Sequence, residues 1–178
     1  MSQADIDVFV WSACHGTLVV RKGIRVNGQH SSSGCTALQY AVRFERRKMV
    51  VALLAAGADV NVKNIHGRTS VWEGAFESIP DILQLLIDGG GSVNEPSIYG
   101  ETPLISAVSN TYGNATALLQ VLLTCPELEL DAAYEGKTAE KWAVVARRTQ
   151  LASAIAQERR RRMRWSALRF TWVAAIVT

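Results

Sequence analysis

Apolar positions in the middle of the chain recur at helical spacing. Met49, Val50, Leu53 and Leu54 share one face of a helix, and Ile82, Leu85 and Leu86 repeat the pattern further on. Each run predicts a helix with an apolar stripe to bury. Gly57 and Gly90 follow these runs, where a helix ends in a left-handed residue. Val60-Asn61 and Val93-Asn94 then lead out into extended turns. A second kind of stretch precedes each run: "GCTALQYA", "GRTSVWEG", "GETPLISA" and "GKTAEKWA". In the third of these, Gly100 suits a backbone with positive φ, Thr102 suits an N-cap, and Pro103 fits the first helical position. The stretch reads as a tight turn feeding a helix.

The glycine–threonine pair recurs at Gly34/Thr36, Gly67/Thr69, Gly100/Thr102 and Gly136/Thr138, at intervals of 33, 33 and 36 residues. Such a fixed period predicts units that stack because none can bury its apolar face alone. Small residues Ala41, Gly74, Ala107 and Ala143 hold the same place in each first helix and allow close helix contact. The strings "GADVN" and "GETPLISA" resemble the ankyrin-repeat family, whose unit is a turn and two antiparallel helices with a T-P-L-H-x-A signature. The resemblance covers roughly residues 5–158. It implies an all-α solenoid of about five units with hairpin-like turns, the first and last degenerate, and residues 159–178 as a separate basic and apolar helix or tail.

The chain departs from that pattern in several places. The signature histidine is replaced by Gln39, Trp72, Ile105 and Lys141, so the stack is expected to rely more on apolar packing. Proline survives only at Pro103, and Glu140 stands where the signature has leucine. Three extra residues of the fourth unit fall in "SNTYGNATALL" or in "TCPELELD". The first unit lacks the signature, and its second helix, between Gly16 and Gly23, is too short for more than about a turn and a half. This end is expected to fray first.

Composition adds a charge asymmetry. Of the net +3, residues 159–178 hold six arginines and no acid, leaving the preceding 158 residues at −3. Three cysteines, Cys14, Cys35 and Cys125, argue against a disulfide framework and for a reducing compartment. Asp5 and Asp7 stand where a secretory leader would carry basic residues. The expected location is the cytoplasm, with the nucleus as the other compartment the basic tail allows.

Catalytic chemistry is hard to find. His15, His30 and His66 are scattered, the adjacent Cys14 and His15 point apart on a helix, and no nucleophile elbow or phosphate loop occurs. No enzyme activity, cofactor, metal or small-molecule substrate is expected. "NAT" at 114–116 fits a glycosylation sequon by chance. Asn61 resembles the hairpin asparagine that hydroxylases modify in some ankyrin proteins, although a hydrogen bond within its own turn explains it as well.

The resemblance also names contact positions, around the glycine–threonine strings and late in the first helices, on a concave face that would bind another protein. These are Arg43, Phe44, Lys63, Ile65, His66, Arg68, Phe76, Glu77, Ile98, Tyr99, Glu101, Ser109, Asn110, Tyr134, Glu135 and Lys137. Aromatics beside arginines are the mixture enriched at interface hot spots. Phe44 and Phe76 either face the partner or turn inward to fill gaps, whereas Tyr99 and Tyr134, at turn tips, are expected to be exposed.

The longest uncharged run in the tail, Phe170 to Thr178, has nine residues where a spanning helix needs about 20. Trp165, Leu168, Trp172 and Ile176 would share one stripe. The tail suits a helix covering the open end of the stack. Other readings are an anionic membrane contact through Arg159, Arg160, Arg161, Arg162, Arg164 and Trp165, or a nuclear-import or nucleic-acid patch. The first reading of function is a protein-binding adaptor. The alternative is a peripheral membrane- or nucleic-acid-associated protein that uses the tail, with nucleic acid the less expected partner.

Overall fold

The glycine and threonine of each string shape the backbone as their chemistry requires. Gly34, Gly67, Gly100 and Gly136 all adopt positive φ, between 64° and 85°. Thr36, Thr69 and Thr102 cap the helices that follow, each hydroxyl accepting the backbone N–H three residues on. Thr138 makes no such bond. The computed structural model describes residues 2–15, 25–110 and 114–176, with backbone alone for Cys14 and 166–176. The expected short helix between Gly16 and Gly23 and the Cys14 thiol lie outside what is described.

A first helix, α1 (Gln3–His15), precedes four helix pairs: α2 (Ala37–Arg43) with α3 (Arg47–Ala55), α4 (Ser70–Phe76) with α5 (Pro80–Asp88), α6 (Pro103–Ser109) with α7 (Ala115–Leu123), and α8 (Ala139–Val145) with α9 (Thr149–Ile176). A short hairpin, β1 (Ala133–Tyr134) and β2 (Lys137–Thr138), enters the last pair, with Tyr134 opposite Lys137. Helices α1, α2, α4, α6 and α8 lie side by side as an inner layer, and each outer helix packs on its own inner partner. The result is an all-α solenoid. Between inner and outer helices the chain turns through Glu45, Ser78 and Arg147, all at positive φ.

The small residues do what the stacking needs. Ala41, Ala107 and Ala143 are fully buried, and a methyl at Gly74 would touch Leu86 and Leu83 of α5 and Val42 of α2. One core runs through the units, from Phe9 and Val10 through Leu38, Leu53, Leu86, Leu104 and Leu122 to Ile155. The three extra residues are shared between both suspected places. Three residues separate the helices of the other pairs, but five separate α6 from α7. Fourteen link α3 to α4 and α5 to α6, but fifteen link α7 to α8.

Two expectations need correction. Losing the signature histidine does not leave the stack to apolar packing alone. Gln39 Nε2 donates to the carbonyls of Val62 and Arg68 at 3.0 and 2.7 Å, and Trp72 Nε1 to that of Glu101 at 2.9 Å. Two of the four substitutes thus restore a polar link to the next unit, because both carry an N–H at the reach of that position. Nor does the Asn61 side chain bond within its own turn. Its Oδ1 accepts the Ser92 N–H and its Nδ2 donates to the Gly90 carbonyl, both in the next unit. Asn27 and Asn94 make equivalent bonds to Asp59 and to Glu127 and Glu129. An asparagine ladder therefore ties successive turns.

Helix α9 runs unbroken through residue 158, where the sequence suggested that repeats end and the tail begins. Arg159 bridges Asp131 and Glu140 at 2.7 and 2.9 Å. Arg162 donates to the carbonyls of Cys125, Pro126 and Leu128, in the turn that follows α7. Hydrogen bonds from Arg162 and Arg161 outweigh partial burial and keep the Glu158 carboxyl below its usual range. The first part of the basic segment is thus bound into the last unit. Among the described residues no helix is long and apolar enough to cross a membrane.

Candidate docking face

The turn tips are strung together by the main chain. Ile65 N–H donates to Ser33 and Ile98 N–H to His66, so each tip is hydrogen-bonded to the one before. Asn64 fixes its turn from inside, accepting the N–H groups of His66 and Arg68. Side chains at the tips are left outward: Ile65, His66, Ile98 and Tyr99 are all exposed. They form one edge of the face.

Late positions of the inner helices form the other edge. Phe44 is 49% and Phe76 38% exposed, so neither turns inward to fill a gap. Each ring is held from below, Phe44 stacked on Tyr40 and Phe76 on the fully buried Trp72. Rings fixed in this way lose little freedom on docking. Ser109 and Asn110 continue this edge, and the Asn110 amide donates to the Phe76 carbonyl.

Between the edges lies a charged floor. Arg43 Nε is 3.8 Å from the Glu73 carboxylate, which also accepts from Asn64 Nδ2 at 3.1 Å. Arg68 lies over Trp72 with its guanidinium carbon 3.9 Å from the ring centroid. Glu101 accepts from the Ser109 hydroxyl. Burial raises the pKa of Glu73, Glu77 and Glu101, partly offset at Glu73 by Arg43 and Arg68, at Glu77 by Arg43, and at Glu101 by Ser109 and Arg68. Lys63 is paired with Glu95 at 2.7 Å.

The last unit contributes less than expected. Tyr134 is half-buried, not exposed: its ring stacks on Trp142 at 5.8 Å, and Trp142 Nε1 donates to its carbonyl. Lys137 is drawn over the same indole, 4.9 Å from the ring. Glu135, at φ 48°, is the outward residue of that turn. Sequence reasoning passed over Glu73 and the supporting role of Trp72. The available signal was a carboxylate beside tryptophan inside an inner helix whose neighbours are otherwise small or apolar. Among the described residues no three His, Cys, Asp or Glu side chains converge as metal ligands.

Comparison with known proteins agrees with this architecture. Residues 33–65, which span α2, α3 and the following turn, match the ankyrin-repeat model. The chain is 31% identical over 107 residues, 60% of its length, to the inactive serine/threonine-protein kinase TEX14 of Bos taurus. It is 26% identical over 138 residues to the neurogenic locus notch homolog protein 1 of Xenopus laevis, and 30% over 76 residues to the E3 ubiquitin-protein ligase KEG of Arabidopsis thaliana. These stretches are 7%, 5% and 5% of those proteins, so the likeness concerns one segment of each. With three threonine-capped helix pairs at a 33-residue interval and a matched unit among them, the chain carries an ankyrin repeat at residues 33–65 within a solenoid of ankyrin type.

Proposed function

We propose that the chain acts as a non-catalytic adaptor, gripping another protein with the face formed by its turn tips and inner helices. Ankyrin repeats are in general protein–protein interaction modules, and the observation that carries the reading here is a row of exposed rings, two of them braced from below. Phe44, Phe76 and Tyr99 stand out of a floor whose backbone is fixed by inter-unit hydrogen bonds. A surface ordered in advance gives up little entropy on binding. The reading takes the cytoplasm or nucleus as the compartment, in keeping with the free, buried thiols of Cys35 and Cys125. Affinity capture with the full chain, against a Phe76→Ala/Tyr99→Ala variant of equal stability, tests it. Partners lost from the variant support the face, and partners held equally by both contradict it.

The arginine-rich stretch of α9 supports a second reading, contact with an anionic membrane. Arg159, Arg161 and Arg162 are engaged with the body or with Glu158, but Arg160, Arg164 and Trp165 are exposed. Arginine beside tryptophan suits the headgroup region. Salt-sensitive sedimentation with phosphatidylserine vesicles, lost on Arg160→Glu/Arg164→Glu, is the expected result. Equal sedimentation of the variant rules the contact out.

A further inference from the structure

The basic side chains of the inner face differ in how far they are already used. Lys63 is paired with Glu95, Arg43 faces Glu73, and Lys137 sits over Trp142. Arg68 also lies over a ring, but its buried Nε has no acceptor among the described residues. Its main chain is fully engaged, the N–H to Asn64 and the carbonyl to Gln39 and Asn64, which fixes the point from which the side chain leaves. The side chain then crosses Trp72 towards Phe76, with the guanidinium carbon 3.9 and 5.9 Å from the two ring centroids. Those rings are stacked on one another and held by the indole bond to Glu101. The cation is therefore immobilised on an aromatic platform.

Its hydrogen-bonding capacity is unspent. Nε is buried and finds no acceptor among the described residues, and no carboxylate oxygen among them comes within 4.0 Å of its nitrogens. Glu73 and Glu101 lie in the field of Arg68, but neither reaches ion-pair distance, and each has another partner. Glu73 accepts from Asn64 and faces Arg43, and Glu101 accepts from Ser109. Glu77 lies in the field of Arg43 and Glu45. Beyond the buried Nε, the terminal N–H groups of the Arg68 guanidinium also have no acceptor among the described residues, and their planar pair matches a carboxylate with two parallel bonds. A guanidinium held part-desolvated without an acceptor is unfavourable for the free protein, and an arriving acceptor relieves that.

We propose that Arg68 is the docking point for a carboxylate side chain, Asp or Glu, of a protein segment laid along the inner face. The apolar neighbours of that carboxylate would rest on Phe76 to one side and on Ile98 and Tyr99 to the other. This rests on the reading of the inner face as the docking surface, and its test separates the two. A random twelve-residue peptide display library is panned on the full chain, and selected peptides are measured by fluorescence anisotropy. The proteins compared are the parent, Arg68→Met, Arg68→Lys and Phe76→Ala/Tyr99→Ala. The selected peptides should share an Asp or Glu, and Arg68→Met should weaken them at least about tenfold, the scale of one charge-assisted hydrogen bond. Arg68→Lys should recover only part of that loss, because an ammonium has no fork. Changing the shared acid to its amide should cost binding to the parent but nothing further to Arg68→Met. Arg68→Met should also keep its melting temperature, since methionine covers Trp72 and no internal acceptor is lost. Peptides that need Phe76 and Tyr99 but ignore Arg68→Met overturn the carboxylate assignment and leave the docking face standing. Peptides indifferent to both variants overturn both, and a fall of several degrees in the melting temperature of Arg68→Met makes the arginine a structural clamp.

Discussion

Trp72 Nε1 donates to the main-chain carbonyl of Glu101 at 2.9 Å, so a side chain of one unit holds the turn of the next. The indole is fully buried and supports both Arg68 and Phe76. Trp72→Phe leaves that carbonyl without its donor and opens a void. The expected loss is about 2–3 kcal/mol, from an orphaned acceptor plus a partial cavity. Urea unfolding at constant slope measures it, and an unchanged midpoint would show that the link adds nothing.

Gly67 and Gly100 hold the same place in successive units but differ in surroundings. Both have positive φ, yet a methyl at Gly67 would come 2.8 Å from the Ile98 nitrogen, while one at Gly100 meets nothing within 4 Å. Gly100→Ala should cost about 1 kcal/mol, the left-handed penalty alone. Gly67→Ala should cost about 3 kcal/mol or more, because backbone of the next turn must shift. Paired thermal melts compare them; equal losses would mean that the turns are not packed as described.

Ser78 combines two unfavourable features. It sits at φ 58°, and its buried hydroxyl has no hydrogen-bond partner among the described residues. Ser78→Gly removes both. We expect a gain of about 1 kcal/mol, reduced somewhat by the greater freedom of glycine in the unfolded chain. A melting temperature raised by roughly 2–4 °C would match, by the usual scaling for chains of this size.

Glu73 should make stability depend on pH. Burial raises its pKa in the fold, so between the ordinary carboxylate value and the raised one the native state binds more protons than the unfolded state. Stability from this group is full below the unfolded pKa and is lost as pH rises through the folded one. Glu73→Gln keeps an acceptor for Asn64 and removes the titration. Its effect relative to the parent should be more favourable at pH 7 than at pH 4. Denaturant midpoints at the two values check the sign, and an effect less favourable at pH 7 would mean that Arg43 outweighs burial.

Local backbone features were legible in the sequence because neighbours in the chain decide them. Gly34, Gly67 and Gly100 take the predicted left-handed turns, and Thr36, Thr69 and Thr102 the predicted caps. What escaped was decided by residues in other units. Nothing near Asn61 says that its side chain reaches Gly90 and Ser92. Tyr134 was read from its place at a turn tip, but Trp142, eight residues on, draws the ring down. Gln39 and Trp72 were read as losses from a signature, when what matters is the N–H each still carries. Glu73 went unnoticed because burial and its partners Arg43 and Asn64 appear only once the units stack.

Amide hydrogen exchange of the full chain, with and without a captured partner, tests the docking face most directly. The account predicts slowed exchange at the turn tips around 63–68 and 97–101 and at the inner-helix ends around 43–45, 76–78 and 109–110. Slowing confined to the outer helices α3, α5 and α7, with those segments unchanged, would contradict it.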